Sequence, residues 1–129
     1  MKANLLLEDF QAALVRLEEA LKLDSELDVF KAGCIQYFEF TFELAWKTIK
    51  ATAEETGLDA GGSPKASLKT AYRQTWIVDE AIWLEMLEAR NRMSHTYDAK
   101  DALRVYEKLN GFIEPLKSLA QSLQVASAS

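Results

Sequence analysis

The sequence predicts an all-α protein, an antiparallel up-and-down bundle of four main helices and one short one. Three observations carry that expectation. Apolar residues recur at three- and four-residue spacing through most of the chain. Only 5 Gly and 2 Pro punctuate 129 residues, few for a fold rich in turns and strands. No run reads convincingly as a β-strand.

The first helix is expected over 3–23, where Leu6, Phe10, Ala13, Leu14, Leu17 and Leu21 share one face. A polar link, Asp24-Ser25-Glu26-Leu27-Asp28, leads into a long second helix, about 29–56, which Gly57 stops. Ile35, Phe38, Phe42, Trp46 and Ile49 form its main stripe, and Tyr37, Phe40 and Leu44 widen it. A single contact needs a stripe only about 100° wide, so this helix is expected to meet two neighbours. The second neighbour is either another helix of the chain or another subunit.

Gly61-Gly62-Ser63-Pro64 breaks the chain and restarts it, Ser63 as cap and Pro64 in the first turn of a short third helix, about 64–75. Trp76-Ile77-Val78 is an apolar connector, and Asp79 caps a fourth helix over about 80–94. A fifth runs from about 99 to 123, with Pro115 expected to kink or divide it near Gly111. The reading is one domain over 1–124 and a disordered tail over 125–129. A chain of this size hides roughly two-thirds of its surface on folding, enough for a core without staples.

One cysteine, Cys34, lies in a helical apolar pattern and reads as a packed free thiol. With no partner cysteine, a reducing cytoplasm is the expected compartment. The first residues lack the apolar run of a signal peptide, and no window approaches the ~18 apolar residues of a membrane span. The net charge of −5 argues against general nucleic-acid affinity, so an RNA or nucleotide role needs a local basic patch. One candidate exists. Residues 60–78 contain no acid, while Lys65, Lys69 and Arg73 recur every four residues. On a helix they form one stripe, either a solvated face or a phosphate-contacting rail.

In helix four, Trp83 and Leu87 align with Arg90. A guanidinium on an apolar stripe needs a partner, either Glu39 or Glu43 of helix two, or an anionic ligand. His95 is the only histidine, so no metal cluster and no cofactor are expected, and Gly-x-Ser-x-Gly is absent. An imidazole that moves protons beside a guanidinium that holds phosphate suits phosphodiester transfer without a metal. On an ideal helix, however, Arg90 and His95 point about 140° apart. Arg90 aligns with Ser94 and Tyr97, and His95 with Asn91. Convergence requires the helix to end near Ser94, the Arg side chain to swing round, or a second chain across a two-fold axis.

Arg90-Asn91-x-x-x-His95 resembles the signature of the HEPN superfamily, and Arg90, His95 and Tyr97 together resemble its HepT-like toxin branch. Phe38-Glu-Phe-Thr-Phe-Glu-Leu-Ala-Trp-Lys47 and Trp83-Leu-Glu-Met-Leu-Glu-Ala-Arg90 resemble segments of the nucleotidyltransferase substrate-binding proteins. The likeness covers nearly the whole chain. It implies a helical bundle that pairs through its motif-bearing face, and a minimal nucleotidyltransferase as partner. The toxin branch implies a metal-independent endoribonuclease of a toxin–antitoxin pair, silenced when its partner transfers AMP to the motif tyrosine. Carried over, Arg90 binds phosphate, His95 is general acid or base, Asn91 orients the site and Tyr97 is modified. Arg92 is a second cation, contacting phosphate or solvated. The alternative is a non-catalytic nucleotide- or substrate-binding subunit of a two-component transferase. A third is a purely structural helical dimer.

Overall fold

The computed structural model describes residues 2–93 and 98–128. Five helices account for most of them: α1 (Lys2–Leu21), α2 (Asp28–Glu55), α3 (Pro64–Arg73), α4 (Glu80–Met93) and α5 (Ala99–Ala128). Short links make sequential neighbours antiparallel. The Ala3 N–H donates to Glu55 Oε2 at 2.9 Å, tying the start of α1 to the end of α2. Lys108 on α5 reaches Glu85 on α4 at 3.2 Å, and Lys117 reaches Glu18 on α1 at 2.5 Å.

The helix ends follow local chemistry. Ser63 Oγ accepts from the Ala66 N–H at 3.2 Å, and Asp79 Oδ1 from the Ile82 N–H at 3.2 Å. Asp98 Oδ1 accepts from the N–H groups of Lys100 and Asp101 at 2.8 and 3.2 Å, capping α5. Gly57, at φ +85°, ends α2 in a Schellman turn in which Leu58 N–H donates to Ala53 O at 2.8 Å. Thr75 takes the same position after α3 at φ +62°, with Trp76 N–H donating to Ala71 O at 2.9 Å. Gly61 has φ +74°, and a Cβ there would stand 2.6 Å from the Ala66 Cβ, so the entry to α3 requires glycine.

α2 packs against all four other helices. Its fully buried Phe38 and Phe42 lie in a chain of rings, Phe112 to Phe38 at 5.4 Å, Phe38 to Phe42 at 6.1 Å and Phe42 to Trp83 at 6.3 Å. These rings join α5, α2 and α4 through one core. Leu7, Phe10, Leu14, Leu17 and Leu21 close it from α1, and Val105, Leu109, Phe112, Leu116, Leu119 and Leu123 from α5. α3 meets the bundle through small residues, burying Ser67, Leu68, Thr70 and Ala71.

Three expectations are adjusted, and the connector is resolved. α3 ends at Arg73, short of 75, because the chain turns left-handed at Thr75. Of the apolar connector, Ile77 is buried and Val78 exposed. α5 is not divided at Pro115: the helix continues across it. The proline removes one N–H bond, and the packed residues on both sides hold the helix together. Where a tail was expected over 125–129, helix continues to Ala128, with Ser127 Oγ donating to Leu123 O at 2.8 Å. Among the described residues no helix is long and apolar enough to cross a membrane.

Candidate functional site

Arg90 lies on the last turn of α4, in line with buried Trp83 and half-buried Leu87. Its Nη2 pairs with Glu43 Oε1 on α2, and its Nη1 donates to Asn91 Oδ1 at 3.0 Å. Glu43 is held in turn, since the Trp46 indole N–H donates to Glu43 Oε2 at 3.0 Å. A chain of polar contacts therefore runs Trp46, Glu43, Arg90, Asn91 along the α2–α4 seam. Of the two partners considered from sequence, Glu43 is the one engaged. Glu39, one turn earlier on α2, keeps a carboxyl raised above its ordinary value of 4.5, first by burial. The Arg90 charge opposes that shift, and the Glu43 charge adds to it. The pair leaves the guanidinium side chain 27% exposed, so it is anchored yet still reachable.

The other predicted residues divide. Asn91 is exposed and touches Arg90. Arg92 points about 160° away from Arg90 around the helix. It pairs with Glu88 at 2.9 Å and Asp101 at 3.7 Å, bridging α4 to the start of α5. His95 and Tyr97 lie outside the described residues. Lys65, Lys69 and Arg73 are exposed on α3, a different helix from the one that carries Arg90.

One cavity of about 480 Å³ opens between α2, the end of α4 and the start of α5. Ile35, Met93, Ala102 and Leu103 give it an apolar floor, and Lys31, Lys100, Asp28 and Glu39 give it charged walls. Met93, on the same last turn of α4 as Arg90, lines the cavity. Lys31 also lies over the Tyr106 ring, 5.4 Å from its centroid. Burial, more than any neighbouring charge, pushes the Tyr106 hydroxyl and the Cys34 thiol upward in pKa. Sequence reasoning missed Lys31 and Lys100 because they join only when α2 and α5 converge. It also read Trp46 as core. The three-residue step from Glu43 to Trp46 was the available signal for their hydrogen bond.

The described residues thus form a five-helix bundle with an arginine anchored on the α2–α4 seam and a mixed apolar and charged cavity at the end of α4. Residues 5–125 match the family model described as "nucleotidyltransferase substrate binding protein like". The chain belongs to that family. It is similar to probable ribonuclease HepT of Haemophilus influenzae, 34% identical over 101 residues that cover 75% of this chain and 69% of the relative. A crystal structure of a Thermus thermophilus protein superposes with a TM-score of 0.80 at 29% identity, covering 88% of this chain and 98% of that one. A Haemophilus influenzae structure, described as revealing the fold of a substrate binding domain of a nucleotidyltransferase, gives 0.78 at 28% identity, covering 92% and 98%.

Proposed function

We propose that this protein is a cytoplasmic, HEPN-type, metal-independent endoribonuclease of a toxin–antitoxin pair, neutralised by a minimal nucleotidyltransferase that adenylylates Tyr97. The observation that carries this reading is the anchored Arg90. A guanidinium held from behind by Glu43 is pre-aimed, and such preorganisation favours a developing phosphorane charge. His95 takes the proton of an RNA 2′-hydroxyl, that oxygen bonds to the adjacent phosphorus, and the 5′-oxygen leaves and is protonated. Arg90 binds the non-bridging oxygens, and Asn91 keeps the guanidinium oriented. Two chains pairing on the motif-bearing face would bring two copies of the motif to one cleft. The exposed Tyr37 and Phe40 on α2 support such pairing, because they remain uncovered in the single chain. Silencing forms a bond from Tyr97 Oη to the α-phosphorus of ATP and releases pyrophosphate.

The test is RNA cleavage by the purified chain, alone and with its co-expressed transferase. Cleavage should be lost in His95→Ala and Arg90→Lys, and co-expression should add one adenylyl mass that Tyr97→Phe abolishes. Undiminished cleavage by His95→Ala removes the catalytic reading. The second reading, a non-catalytic nucleotide-binding subunit, is favoured by the lysine-walled cavity and by the family's name. It expects stable association with the transferase, nucleotide binding sensitive to Lys31 and Lys100, and no cleavage.

A further inference from the structure

α3 shows two unlike faces. Its inner face is small and fully packed, with Ser67, Leu68, Thr70 and Ala71 buried. Its outer face carries Lys65, Lys69, Tyr72 and Arg73, all exposed. At 100° per residue these four side chains fall within about 100° of arc, and consecutive cations are spaced about 6 Å along the axis. None of the three cations takes part in an ion pair among the described residues. The cations of α4 and several of α5 are matched to carboxylates, as Arg90 is to Glu43, Arg92 to Glu88, Lys108 to Glu85 and Lys117 to Glu18. All 20 acids of the chain lie outside residues 60–78. An acidic protein therefore displays on this helix a positive stripe without an ion-pair partner among the described residues. The stripe is rigid because Ser63 caps it and the Gly61–Ala66 approach fixes its entry.

We infer that this outer face of α3 is a second contact surface for single-stranded RNA, separate from the motif, with Lys65, Lys69 and Arg73 on successive phosphates and Tyr72 stacked on a base. Cations alone would suit any polyanion. The exposed Tyr72 beside them selects a nucleic-acid strand over an acidic protein, because alternating charge and aromatic faces is how sequence-tolerant single-strand binding works. α3 leads into the N-terminal end of α4, while Arg90 lies ten residues further on, about 15 Å along the helix. A strand engaged at both places would be held across several nucleotides, which sets a minimum substrate length. The inference rests on RNA being the ligand of the motif site, and the experiment separates the two.

Binding of a labelled single-stranded oligoribonucleotide is measured by fluorescence anisotropy on the full chain carrying His95→Ala, so that nothing is cut. The triple variant Lys65→Gln/Lys69→Gln/Arg73→Gln should weaken binding at least about tenfold at low salt. It should also reduce the slope of log Kd against log salt by about 2, from about 0.7 per lost phosphate contact. Tyr72→Ala should weaken binding about tenfold with the salt slope unchanged. Lys65→Arg/Lys69→Arg should bind as the parent does, which excludes a folding defect. Unchanged affinity and slope in the triple variant overturn the inference. So does a triple variant that keeps RNA but loses the partner transferase. Cleavage by the parent chain is scored separately: stripe-dependent binding without cleavage sinks the ribonuclease reading alone, and cleavage with stripe-independent binding sinks this one alone.

Discussion

Glu43 on α2 and Arg90 on α4 form an ion pair across the helix seam, and the Trp46 indole holds the carboxylate from its other oxygen. The pair has two structural consequences. It satisfies a charge that the apolar alignment with Trp83 would otherwise strand, and it leaves part of the guanidinium open to a ligand.

Glu43→Gln should therefore cost about 1–3 kcal/mol, between the small value of an exposed pair and the larger cost of breaking a fully buried one. Urea denaturation should show a lower midpoint at unchanged slope. Cleavage or ligand binding should fall more than stability predicts, because Arg90 loses its fixed aim. A purely structural pair would leave the activity of the folded fraction intact.

Trp83 is the largest fully buried side chain and terminates the ring chain from Phe112. Trp83→Ala should destabilise by about 3–5 kcal/mol, a large share of the roughly 5–15 kcal/mol that holds a domain folded. Circular dichroism melts test this.

Thr75 is a β-branched residue at φ +62°, where glycine is the ordinary occupant. Thr75→Gly should stabilise by about 1 kcal/mol. Gly61→Ala should do the opposite, since the added methyl meets Ala66 at 2.6 Å in a left-handed backbone. Paired thermal melts give both signs.

Glu39 makes stability depend on pH. Its carboxyl is raised above 4.5 chiefly by burial, so the folded state binds the proton more tightly than the unfolded chain. Stability should then decline as pH rises from about 4.5 through the folded value. Glu39→Gln should be more stable than the parent at neutral pH, with the difference vanishing below about pH 4.5. A constant difference across that range would show that burial of the charge is not its source.

How much was legible in advance follows from which forces are local. Helical periodicity, the Ser63 and Asp79 caps and the Gly57 stop depend on residues within a turn or two, and each appears where the spacing placed it. The need of Arg90 for an anionic partner, a carboxylate of α2 or a ligand, was equally readable, since an apolar stripe cannot host an unpaired charge. The choice of Glu43 over Glu39 was not, because it depends on the axial offset between α2 and α4. Lys31 and Lys100 are 69 positions apart in sequence, so no local pattern could join them around one cavity.

The order of residues by itself determined an all-helical bundle, its element boundaries to within a few residues, and the family through the segments Phe38–Lys47 and Trp83–Arg90. Only tertiary packing decided that α5 passes unbroken through Pro115, that Arg92 is drawn to Glu88 and Asp101 while Arg90 is drawn to α2, and that a cavity opens at the end of α4. The physical reason is range. Backbone hydrogen bonds and caps are satisfied within one helix, whereas a long-range ion pair or a cavity exists only once separate helices have settled their relative height and rotation.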